Sequence, residues 1–212
     1  NPYWQRILAI YRRGAELLDG KMLMYHLDLH TNMDLLAAVR GTQNLCMDLL
    51  DCPELVDEAM KQSRAIFPKL WNEISKAGNM EENGYWFGTY GAKGTAILQC
   101  DFGALISPDM FQRWVLPALE EEAGYVDRVL YHWDGPETLR HKEALFGSDK
   151  IHTLAYVPLP SEGGHVNLLP LLQEIQAHGK GVYVSGTLEE LKVMHKALDP
   201  TKVIYNTAAK TQ

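Results

Sequence analysis

The stretch that decides the fold is Val129–Phe146, VLYHWDGPETLRHKEALF. Its first five residues are apolar, aromatic or β-branched, which is strand composition. The run stops at Asp134-Gly135, and Pro136 opens a helix through Phe146, proline being welcome in a first helical turn. The same strand–turn–helix unit recurs on both sides. Thr95–Phe102 reads as a strand leading to a helix with Ser107 as N-cap and Pro108 behind it, which Pro117 should kink or break. Ile151–Val157 leads through a Pro/Gly loop to a helix over Asn167–His178, stopped by Gly179. Gly181–Ser185 leads to a helix over Thr187–Leu198, opened by a Thr187/Glu190 capping box and closed at Asp199-Pro200. Val203–Thr207 is the last strand.

Upstream, Trp4, Ile7, Leu8, Tyr11, Ala15 and Leu18 recur at helical steps. Met22–His30 reads as a strand with a polar end. Thr31 or Asn32 caps a short helix over Asp34–Arg40, and another lies around Leu45–Leu50. A long helix then follows Cys52-Pro53, with Val56, Met60, Ser63, Phe67, Leu70 and Ile74 on one face. Asn79–Gly94 is rich in glycine and aromatic residues and predicts a structured loop beside a site.

Strands alternating with helices mean parallel βαβ units, and near-continuous apolar strands mean a sheet covered on both faces. A doubly wound sheet and a (β/α)8 barrel both satisfy this pattern. No G-x-G-x-x-G or P-loop glycine pattern follows any strand, so nucleotide-binding versions lack their main signal. About six strands are visible, against the eight of a complete barrel. The chain opens inside a helical pattern and without Met. The expectation is one domain over residues 1–212, the C-terminal part of a longer barrel whose first strands precede residue 1.

The chain has 212 residues, with 46% hydrophobic and 22% charged, a globular balance. A net charge of −7 and the lack of a basic run argue against a nucleic-acid partner. No apolar run has membrane-spanning length. Three cysteines without a C-x-x-C and no signal peptide suit a reduced, cytoplasmic protein.

In parallel α/β folds, chemistry gathers at the carboxyl ends of strands. Those ends carry Asp28 and His30, Cys100 and Asp101, His132 and Asp134, Tyr156, Ser185, and Asn206 and Thr207. The sharpest feature is the H-x-D of His132 and Asp134. Residues two apart on a strand share a face, so an imidazole and a carboxylate there would hold a metal together or exchange a proton. The alternative has Asp134 only capping the helix at Pro136. Asp101 would be a general base or substrate anchor, or a brace for the loop at Gly103–Ser107. Asp28, His30, Tyr156 and Asn206 are candidate substrate contacts. His141, His152, His178 and His195 read as solvated or helix-end histidines.

Four segments together resemble the uroporphyrinogen decarboxylase superfamily: Leu27–Val56, Gln99–Leu119 (QCDFGALISPDMFQRWVLPAL), Tyr131–Leu145 and Gly179–Ala209. The Gln99–Leu119 pattern is the most specific. The resemblance implies a (β/α)8 TIM barrel with its site at the carboxyl rim, incomplete in this chain. The superfamily holds tetrapyrrole decarboxylases and corrinoid-dependent methyltransferases. In the decarboxylase pattern a tyrosine and a late histidine fall here at about Ala38 and Ala209, neither of which can donate a hydrogen bond from its side chain. In the methyltransferase pattern an H-x-C on this strand binds zinc; His132 matches and Asp134 replaces the cysteine. What the resemblance implies is an enzyme acting on a small molecule at the barrel mouth. The leading expectation is metal-assisted methyl transfer from a small donor to a corrinoid protein, with His132 and Asp134 holding zinc and Asp101 or Asp28 as further oxygen donors. Decarboxylation of uroporphyrinogen is one alternative, and a catalytically silent ligand-binding barrel another. A homodimer pairing rim to rim is expected by analogy.

Overall fold

The computed structural model describes residues 1–27, 29–86, 90–91 and 94–208. Helices α1 (Pro2–Leu18), α2 (Met33–Arg40), α3 (Thr42–Asp51), α4 (Pro53–Arg64), α5 (Phe67–Ala77) and α6 (Met80–Asn83) come first. A hairpin of β1 (Tyr85–Trp86) and β2 (Tyr90–Gly91) follows. Then β3 (Thr95–Gln99), β4 (Arg128–Asp134), β5 (Thr153–Val157), β6 (Gly181–Ser185) and β7 (Val203–Asn206) form a five-stranded parallel sheet. Between them lie α7 (Pro108–Met110), α8 (Leu116–Ala123), α9 (Lys142–Gly147), α10 (Leu169–Ala177) and α11 (Leu188–Ala197).

The strands stand side by side in chain order. Right-handed crossovers between successive neighbours place all connecting helices on one face of such a sheet. A doubly wound sheet would reverse its order partway and carry helices on both faces. The burial agrees with the one-sided arrangement. Leu98, Val129, Tyr131, Trp133, Leu154, Val182 and Val184 face the helices and are 0–2% exposed. Alternate residues on the other face are more open: His132, Tyr183 and Ser185 are half-buried, and Asp134 is exposed. The architecture is therefore an α/β fold with a parallel sheet compatible with part of an α/β barrel. Among the described residues, no helix is long and apolar enough to cross a membrane.

Three segments differ from expectation, each for a local reason. The expected strand Met22–His30 does not join the sheet. Its described residues make a single parallel bridge, Tyr25 to Trp86, and its side chains anchor it instead. His26 stacks on Trp71 with 4.1 Å between ring centroids. The expected long helix after Pro53 breaks between Arg64 and Phe67, because Pro68 can stand only in a first turn. The helix expected from Pro136 begins as a 3-10 turn, Pro136–His141. There the indole N–H of Trp133 donates to the Thr138 carbonyl at 3.1 Å and takes an acceptor the α-helix would use. Pro117 has its expected effect: Phe111–Val115 is a π-helical turn just ahead of it.

Candidate functional site

The inner face of the sheet is a bowl of about 500 Å³. Ile97, Leu130, Ala155, Val157 and Pro158 supply apolar wall, and His132, His165, Tyr183 and Ser185 supply polar atoms. Among the described residues lining it there is no Lys or Arg. His132 is on β4, one strand over from Gln99 in register. Its Nδ1 is buried with no hydrogen-bond partner among the described residues. Buried polar atoms are rarely left without partners, and His141 Nδ1 is in the same position; what sets His132 apart is that its ring lines the bowl.

Asp134 is two residues on and exposed, as strand parity requires. The capping alternative fails: the turn at Pro136 has no side-chain cap. The Thr138 hydroxyl instead donates to the carbonyls of Asp134 and Gly135 at 3.0 and 2.8 Å.

The metal expectation moves. Among the described residues, the group able to offer three close ligand atoms is His30, Asp34 and Asp101, with those atoms within 4.8 Å of one another. It includes neither His132 nor Asp134. On β4 those two share a face, but among the described residues no third His, Cys, Asp or Glu joins them in a group of three close ligand atoms. Asp34 is the residue sequence reasoning missed. Asn32 N-caps α2 at φ 71°, a left-handed backbone, and turns Asp34 toward the end of β3. There its two carboxylate oxygens accept the Asp101 and Phe102 N–H groups at 3.0 and 2.9 Å. His30 Nδ1 lies 3.1 Å from Asp34, and the Gln99 amide is beside the same ring.

Asp101 is exposed at its tip and crowded behind. Partial burial raises its carboxyl above the ordinary range, and the Asp34 charge adds to the rise. His30 opposes it, Asp134 reinforces it, and His132 opposes it. Three of the expected side chains, His30, His132 and Asp134, therefore act electrostatically on one carboxyl group, together with Asp34. Behind this corner, Glu122 is 1% exposed and accepts hydrogen bonds from Thr31 and from Asn32, the latter at 3.3 Å. Burial pushes its carboxyl up to about 7, against the pull of those two hydrogen bonds.

Three other expectations, at Tyr156, Asn206 and His141, need correction or relocation. Tyr156 borders the bowl, but its ring packs edge-on against Trp133 at 5.6 Å and is 1% exposed. Its hydroxyl donates to Glu162 at 3.0 Å, so its ring belongs to the helix-facing layer and its hydroxyl is engaged away from the bowl. Asn206 is exposed and donates to the Tyr183 hydroxyl, reaching the bowl through that residue. Asp28 lies outside the described residues, as does Ala209. His141, expected to be solvated, is instead 2% exposed, stacked on Phe111 and bonded to the Gly103 carbonyl at 2.8 Å. It braces the turn that carries Asp101.

A groove of about 600 Å³ between α1 and α5 is larger than the bowl. Arg12, Glu16, Glu73 and Lys76 line it with mixed charge, and no residue of the parallel sheet is among its described lining. Volume alone does not make a site; convergent polar groups in an apolar setting do. Comparisons with protein families, with curated proteins and with solved structures return no match for this chain, so the site is described by its geometry alone.

Proposed function

We propose that this chain is an enzyme of the uroporphyrinogen decarboxylase type, part of a (β/α)8 barrel, acting on a small neutral or cationic molecule in the bowl. The observation that carries this reading is the buried, unpartnered His132 Nδ1 on an apolar wall. His132 would hydrogen-bond the substrate, and Asp101 and Asp134 at the same rim would take or deliver a proton.

The most concrete version is methyl transfer from a small methylated donor to a corrinoid protein docked at the rim. One imidazole and two carboxylates suit a divalent cation such as zinc, and Asp34 Oδ2, which faces His30, has a second lone pair beyond its backbone bond, whereas Oδ1 also accepts from the Cys100 thiol at 3.7 Å. His30, Asp34 and Asp101 would hold the cation, which would serve as a Lewis acid toward the donor. The apolar wall would exclude water, and His132 would orient the donor.

Decarboxylation of a porphyrinogen is disfavoured by charge. Several carboxylates would have to enter a bowl whose lining has no described Lys or Arg and whose lip carries Asp101 and Asp134. The test is methylation of reduced cobalamin by a panel of methylated amines and ethers, with metal content measured alongside. The expected result is turnover that falls roughly 100-fold or more in His132→Ala. Conversion of uroporphyrinogen to coproporphyrinogen by the same protein would overturn the reading.

A further inference from the structure

We propose that Ser185 and His165 form a second catalytic pair in the bowl, a nucleophile and its base, that opens small uncharged carboxylic esters by acyl transfer. This goes beyond the methyl-transfer reading and uses different residues.

Ser185 is the last residue of β6, on the inner face with Tyr183, while Val182 and Val184 face the helices. His165 arrives from the loop after β5. Gly163 and Gly164, at φ +74° and +88°, make the turn that brings it back. A Cβ on Gly164 would meet nothing within 4 Å, so backbone conformation rather than space requires glycine there.

His165 is 5% exposed, and its Nε2 is 2.8 Å from the Tyr156 carbonyl oxygen. A carbonyl only accepts, so Nε2 carries the proton and Nδ1 of the neutral ring is an acceptor. That Nδ1 lies 3.3 Å from the Ser185 Oγ and 3.3 Å from the Ser185 N–H. The hydroxyl therefore shares, with its own backbone N–H, the lone pair of a base already fixed in the productive tautomer, with a backbone carbonyl as orienting group. Nucleophile, base and orienter are the three parts that activate a serine.

The oxyanion donor in this scheme is Tyr183, two residues back on β6 and lining the same bowl. The Asn206 amide donates to the Tyr183 hydroxyl oxygen, leaving that hydroxyl its own proton to donate in the bowl. The apolar wall suits a short acyl chain, and the lack of Lys and Arg in the described lining selects against an anionic one.

In the reaction, Ser185 Oγ attacks the ester carbonyl carbon and its proton passes to His165 Nδ1. The carbonyl π electrons move onto oxygen, which Tyr183 O–H stabilises. Collapse of that intermediate breaks the bond to the leaving alkoxide, which takes the proton from Nδ1. Water then attacks the acyl-Ser185, giving its proton to Nδ1, and the acid leaves as Ser185 recovers a proton.

The experiment treats the full chain with a fluorophosphonate probe, locates the adduct by peptide mass spectrometry, and follows p-nitrophenyl butyrate hydrolysis. The expected adduct is on Ser185. Hydrolysis should slow at least about 100-fold in Ser185→Ala and in His165→Gln, and about tenfold in kcat in Tyr183→Phe. Labelling of the unmutated chain needs no variant to fold. No adduct on Ser185, or hydrolysis that survives Ser185→Ala, overturns the proposal. Methyl transfer and metal content are read separately, so failure here leaves that reading untouched.

Discussion

The corner built from His30, Asp34, Asp101 and Glu122 and the bowl built from His132, His165, Tyr183 and Ser185 open at the same end of the sheet, yet they treat their polar groups in opposite ways. In the corner, polar atoms are tied to one another across long sequence separations. Asp34 grips the turn after β3, and Glu122 holds Thr31 and Asn32. In the bowl, His132 Nδ1 has no described partner and the Tyr183 hydroxyl keeps a proton to give. The corner ties its groups to one another and so fixes the position of Asp101, which is what a cation held by His30, Asp34 and Asp101 would need. The bowl is organised to meet something from outside.

Glu122 gives the largest expected effect on stability. Its carboxyl titrates at about 7 in the folded protein and near the ordinary 4.5 in the unfolded chain. Between those values the folded state binds the extra proton. The stabilisation is therefore complete below about pH 4.5 and is lost as pH rises through about 7, with a total on the order of 3 kcal/mol. Urea melts from pH 5 to pH 8 should show this decline, and Glu122→Gln should flatten it. A flat profile in the unmutated protein would mean the corner is not sealed as described.

His132→Ala gives the smallest effect. Removing a buried nitrogen that lacks a partner relieves a polar cost of about 1–3 kcal/mol, and the space left behind costs a similar amount. The net change in the urea midpoint should correspond to less than about 1 kcal/mol. A loss of several kcal/mol would place His132 with the corner, as a structural residue.

The same contrast explains what the sequence made legible. The alternation from Thr95 onward was readable because strand runs and caps are local signals: the Thr187/Glu190 capping box and the Ser107 N-cap both form. Met22–His30 misled because it has strand composition while its anchoring comes from distant rings such as Trp71. Asp34 was invisible because its hydrogen bonds reach 67 and 68 residues ahead. The side on which Tyr156 stands is not legible because its strand has no polar/apolar alternation; Trp133, its neighbour in register, shows the side only once pairing is known. His165 lies in a Pro/Gly loop, where periodicity gives no guide, although the tandem glycines before it were a usable sign of a constrained turn.

The most direct test of the bowl as the functional site is amide chemical-shift mapping of the full chain titrated with small methylated amines. The predicted result is saturable shifts at Leu130, His132, Ala155, Tyr183 and Ser185, abolished in His132→Ala. Shifts confined to Arg12, Glu16, Glu73 and Lys76 in the α1/α5 groove would contradict it.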